Sequence, residues 1–204
     1  MCKRVFGDKG IVHMENFQNN ILTRRWEERY NKLPKDIQKK LDEFQNMDIA
    51  EHQLQIIKRQ RIYPEIGDIF EIRPNEIITL HGIVVNNHIN NINGDDLLLI
   101  VIFKNGVDVR RSTDRGIHRD DLLIPPQIVG KEYWSRGYFY NVSKYSEKIT
   151  VDNYGFYHVG SWKFTDEYGN EIKNEPSLIG TGGVCTIWGI GYKIKEELIA
   201  LGIV

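Results

Sequence analysis

The spacing of apolar residues along this chain changes once, at Tyr63-Pro64. Before that point it is helical. Phe17, Ile21, Leu22, Trp26 and Tyr30 recur at helical intervals and predict a helix from Glu15 to Tyr30. Pro34 interrupts, and Ile37, Leu41 and Phe44 then share one face of a second helix. Asp48 followed by Glu51 has the form of a capping box, with Asp in place of Ser or Thr, and opens a third. Leu54, Ile57 and Arg61 continue one face of it, and Tyr63-Pro64 ends it because a residue before proline avoids the helical region.

Beyond Pro64 the pattern becomes two-residue alternation and short apolar runs cut by turns. Strands are expected at Ile69 to Ile72, Ile77 to Val85, Leu97 to Phe103, Leu122 to Val129, Tyr138 to Val142, Tyr154 to Phe164 and Gly183 to Gly189. The Asn-rich stretch Asn86 to Asp96, with Asn93-Gly94 inside it, reads as a loop or hairpin tip. Lys193 to Leu201 reads as a terminal helix, with Gly202 just beyond. The expectation is an α+β chain in two parts. Residues 1–62 form a helical N-terminal appendage. Residues 63–204 form a curved antiparallel sheet or small barrel closed by a C-terminal helix.

Charge follows the same division. Residues 1–62 carry 13 Lys/Arg against 9 Asp/Glu, a net +4, and residues 63–204 carry 14 against 19, a net −5. The total of −1 over 204 residues excludes a polybasic nucleic-acid binder on bulk charge. With 41% hydrophobic residues the chain has enough apolar material for a core. No run reaches the length of a membrane span, and the N-terminus lacks a signal peptide's apolar region, so a cytoplasmic protein is expected.

Candidate chemistry is sparse. Cys2 and Cys185 are far apart and in unlike contexts, which leaves no disulfide framework. His81, His88, His118 and His158 form none of the close pairs that zinc sites favour, so no metal or other cofactor is expected. The glycines at 180, 182 and 183 and at 189 and 191 do not continue into a phosphate-binding motif, and suit tight turns and close packing. Cys185 lies in an apolar run, and no Gly-x-Ser-x-Gly elbow is present, so no catalytic residue is assigned. What remains is an aromatic-rich middle with carboxylates nearby.

The segment Gly67-Asp68-Ile69-Phe70-Glu71-Ile72, preceded by Pro64 and followed a strand later by His81-Gly82-Ile83-Val84, resembles the opening of immunity protein family 26. The strand Leu97 to Phe103 and the segment Asp121-Leu122-Leu123-Ile124-Pro125-Pro126 resemble that family's middle. The resemblance covers about residues 64 to 190 and leaves the helical stretch outside. It implies a cytoplasmic immunity protein whose partner is a cognate polymorphic toxin. Some relatives carry a phosphotriesterase label, so a small hydrolase is the alternative.

For a toxin with a basic substrate groove, an acidic and aromatic face of the β body is the expected contact. Trp134, Tyr138 and Tyr140 are its candidate anchors where they are exposed, core packing being the alternative for each. Asp120, Asp121, Asp166 and Glu167 supply its negative charge. Neither nucleic acid nor membrane is expected as a partner.

Overall fold

In the computed structural model, which describes residues 20–204, the Asn20 side chain accepts a hydrogen bond from the Leu22 N–H. It thereby caps the first helix, α1 (Ile21–Tyr30). The start of the helix expected from Glu15, with Phe17, lies outside the described residues, as does Cys2. Helix α2 (Lys35–Gln45) follows Pro34 and buries Ile37, Leu41 and Phe44, the face that their spacing predicts. Gln38 is buried with them, and its amide donates to the carbonyls of Tyr30 and Leu33, which locks the turn between the two helices.

The expected third helix does not form. Asp48 caps as expected, accepting from the Ala50 N–H at 2.8 Å, but only a single 3-10 turn, Ile49–His52, follows. Residues 53–65 have no regular secondary structure. Their N–H groups are used elsewhere: Gln55 donates to the Arg73 carbonyl, Ile57 to Gly137 and Gln60 to Trp134. Those bonds to the β body, with Leu54 buried in its core, outweigh the local helical preference.

Five strands make the main sheet: β1 (Asp68–Ile72), β2 (Leu80–Asn91), β3 (Gly94–Phe103), β4 (Leu122–Val129) and β5 (Phe139–Lys144). Their order is β4-β3-β2-β1-β5 and every pairing is antiparallel. The sheet has two edges, so of the two expected forms it is the open sheet and not the barrel. Gly82 on β2 lies beneath the Phe70 ring of β1, where a Cβ would collide with the ring and with the Val101 carbonyl. That contact leaves no room for a side chain at position 82.

Helix α3 (Val109–Asp114) and a 3-10 turn at Arg119–Asp121 connect β3 to β4, and helix α4 (Glu132–Arg136) connects β4 to β5. A second sheet holds β6 (Tyr154–His158), β7 (Lys163–Thr165), β8 (Glu171–Ile172) and β9 (Leu178–Thr181) in the order β8-β7-β6-β9, with β6 and β9 parallel. The single strand expected from Tyr154 to Phe164 is therefore a hairpin. The strand expected from Gly183 to Gly189 is only a bridge between Val184 and Ile128. Thr186 then caps α5 (Ile187–Ala200), which starts earlier than the expected Lys193.

Helix α5 is apolar on two sides. Ile187, Ile190, Ile194 and Leu198 join the main core against Phe70, Leu80, Leu98, Ile100 and Ile102. Ile199 and Ala200 pack with Ile37, Leu41 and Phe44 of α2. Strand β3 is buried on both faces, which explains its unbroken apolar run. No described helix is long and apolar enough to cross a membrane.

Candidate functional site

The residues expected on one acidic, aromatic face are scattered, and most of them point inward. Trp134 is 0% exposed, and its Nε1 donates to Asn141 Oδ1 at 2.6 Å. Tyr138 is buried, and its hydroxyl accepts a hydrogen bond from the Gln53 amide. Both are core residues, which corrects their place among displayed anchors. Trp134 lies on the helical turn Glu132–Arg136, which Gly137 ends in a left-handed conformation at φ 90°, and both rings join the main core. Tyr140 is half-buried, with the Lys58 ammonium 5.7 Å from its ring centre.

Two of the four carboxylates are also buried. Asp121 accepts from Ser112 Oγ at 2.7 Å, from the His118 N–H at 3.0 Å and from Arg115 Nη2 at 2.5 Å. Burial pushes its carboxyl up, but those three bonds outweigh burial and hold it below its ordinary value. Glu167 accepts from Asn86 Nδ2 at 3.1 Å and from the Tyr154 hydroxyl at 2.9 Å. Asp166 caps its own turn, taking the N–H groups of Tyr168 and Asn170. Only Asp120 of the set is exposed, Asp166 being half-buried. Asp121 and Glu167 hold loops together and do not form a charged surface.

The histidines sit in separate places. His118 Nδ1 is 3.0 Å from Asp152 Oδ1, His88 Nδ1 is 3.0 Å from Asp96 Oδ1, and His158 Nε2 is 2.9 Å from Thr165 Oγ1. His81 lines a hollow of about 460 Å³ whose lining includes Lys104 and Asp108. No three His, Cys, Asp or Glu side chains among the described residues cluster closely enough to hold a metal ion. Burial pushes the Cys185 thiol up, against a smaller opposing effect of Lys193.

A different feature stands out: an open groove of about 850 Å³ between α1, the start of β4, β9 and the end of α5. Leu22, Trp26, Leu123, Leu178, Ile179 and Leu201 supply its apolar lining. Charge surrounds it, with Arg25, Arg29, Lys32, Lys104 and Arg119 against Glu28, Asp120 and Glu197. Arg29 is held by Glu197 through two bonds of 2.5 and 2.7 Å, which raise its pKa, and its guanidinium lies 5.6 Å from the Trp26 ring centre. Arg25 is paired with Glu175. The one hydroxyl side chain in the lining, Ser177, donates to the Asn153 carbonyl at 2.6 Å.

Sequence reasoning missed this groove because its walls come from four stretches far apart along the chain, within residues 22–33, 104–125, 177–179 and 197–201. A partial signal was present: Arg25, Arg29 and Lys32 recur at helical spacing, beside Leu22 and Trp26. Comparison of the chain with family models, with curated proteins and with solved structures finds no match.

Proposed function

We propose that the protein works by binding another protein, as a cytoplasmic immunity protein that neutralises a cognate polymorphic toxin by occluding it. The groove supports the binding part of this reading. Its apolar floor is left open by the described residues and is ringed by charge, which is the make-up of a recognition surface. Its lining holds no histidine or cysteine, and its hydroxyl is already engaged, so a base-activated serine or thiol nucleophile has no components there. The toxin as partner comes from the resemblance of the β1 and β2 segments. The excess positive charge at the groove does not favour a basic toxin surface at that place.

Co-expression tests the reading. The chain should restore growth to cells making the toxin encoded beside its gene, and should purify with that toxin. Absence of rescue, together with hydrolysis of a phosphotriester by the purified chain, would replace this reading with the hydrolase.

A further inference from the structure

We infer that the groove between α1 and β4 takes an extended acidic segment of a partner protein, with apolar side chains on its floor and carboxylates at its rim. This rests on the protein-binding reading above and names the chemistry of what is bound. Three rim cations, Lys32, Lys104 and Arg119, have no carboxylate within ion-pair distance among the described residues, whereas Arg25 and Arg29 are taken by Glu175 and Glu197. Glu28 is engaged, loosely, by Arg24 at 4.0 Å, which leaves Asp120 as the one opposing carboxylate of the lining without an ion pair. The unmatched charge at the groove is therefore positive, in a protein of net charge −1.

The three cations come from three places, the turn after α1, the residue after β3 and the turn before β4. One of them is already positioned, since Lys104 Nζ donates to the Asp120 carbonyl at 2.8 Å. The Arg119 backbone is fixed as well, its main-chain N–H donating to Asp152 Oδ2 at 3.0 Å. A carboxylate arriving there meets in Lys104 a donor whose ordering cost is partly met in advance.

Polypeptide fits this lining better than nucleic acid. The floor is mainly aliphatic, and its aromatic residue, Trp26, already faces the Arg29 guanidinium. Single strands need stacking platforms and unbroken positive charge, and here Asp120, Glu28 and Glu197 interrupt it.

The test is a titration of the full-length, isotope-labelled chain with a short alternating Glu-Leu peptide and, separately, with its Lys-Leu counterpart, followed by NMR. The Glu-Leu peptide should shift the Trp26 indole signal and the amides of Leu22, Leu123 and Leu178 saturably, and the Lys-Leu peptide should not. Lys32→Glu combined with Arg119→Glu should weaken binding about tenfold or more, with the unfolding midpoint unchanged. Absence of shifts at millimolar Glu-Leu peptide, equal binding of the Lys-Leu peptide, or unchanged affinity in the double variant would each overturn the inference.

Two other occupants give their own signals, and either would overturn it. A nitroxide on Cys2, with Cys185→Ser, would broaden the Trp26 signal if the chain's own first residues filled the groove. A second copy would shift the same signals with protein concentration alone. Toxin neutralisation that survives Lys32→Glu with Arg119→Glu would leave the immunity reading standing without the groove. Peptide binding by a chain that neutralises no toxin would leave the groove standing without the immunity reading.

Discussion

Gly191, in the second turn of α5, lies against the backbone carbonyl of His52, with no room between them for a Cβ. The His52 ring stands edge-on to Phe44 and Tyr192, at 4.5 and 5.1 Å between centres. One turn further along α5, Lys195 Nζ donates to the carbonyls of Glu51 at 2.6 Å and Gln53 at 3.1 Å. The helix thus clasps the 3-10 turn through one face, at two successive turns.

Replacing Gly191 by Ala tests that clasp, because two effects oppose each other. In an open helix the change would stabilise by up to about 1 kcal/mol. Here the new methyl group strikes backbone, and overpacking of this kind costs about 1–3 kcal/mol. A net loss is expected in urea unfolding. Gly160→Ala, where no atom lies near the added carbon, should stay within about 0.5 kcal/mol of wild type.

Trp134→Ala should destabilise the fold by about 3–5 kcal/mol, since the ring is fully buried between Phe70 and Phe139. Calorimetry reads it. Any loss of partner binding in this variant should be recovered at a temperature where the variant is fully folded.

Asp121→Asn should cost on the order of 1–3 kcal/mol at neutral pH, because Arg115 loses its charged acceptor and a buried network is disturbed. The pH dependence has a defined sign. The folded carboxyl is held below 3.8, so its contribution is complete above that value and is lost as pH falls through the lower folded one. Unfolding curves of wild type and variant should converge in strong acid.

Glu196 behaves in the opposite way. Burial pushes its carboxyl up to about 7, against the Tyr192 hydroxyl bond and the nearby Arg29 and Lys193, with Glu197 adding to the rise. Its contribution is therefore complete below about pH 4.5 and lost as pH rises through 7. Glu196→Gln should stabilise by on the order of 2 kcal/mol at pH 8 and have no effect at pH 4. Equal effects at both values would show that the carboxyl titrates normally.

His52 sets the acid side of the same interface. Burial, with Lys195 nearby, lowers its pKa against weaker opposing effects of Asp48 and Glu51, and its Nδ1 has no hydrogen-bond partner among the described residues. Its contribution is complete above about pH 6.5 and lost as pH falls through the lowered value. A His52→Phe variant should lack that loss when unfolding is compared at pH 7 and pH 5.

Where an element's burial pattern is local, it was readable from sequence. The α2 face of Ile37, Leu41 and Phe44, the limits of β4 and the α+β order all follow from spacing. The failures occur where distant backbone supplies the hydrogen bonds. Residues 53–62 look helical in isolation, yet the N–H groups of Gln55, Ile57 and Gln60 go to Arg73, Gly137 and Trp134. The Asn-dense stretch looks like a loop, but β2 runs through Asn91, and the side chains of Asn86 and Asn91 brace Glu167 from across the fold. Of the expected contact face only Asp120, and in part Tyr140 and Asp166, reach the surface. Residue type alone cannot separate an anchoring tryptophan from a core one, because both uses exploit the same large apolar area.

The packing of α2 on α5 also dictates an order of events during synthesis. Leu41 and Phe44 leave the ribosome well before Ile199 and Ala200, which cover them. Until then the nascent chain carries an uncovered apolar stripe while the sheet assembles beside it. A stripe exposed while both sheets are made is a natural landing point for a chaperone, and slowing the ribosome should lengthen that exposure.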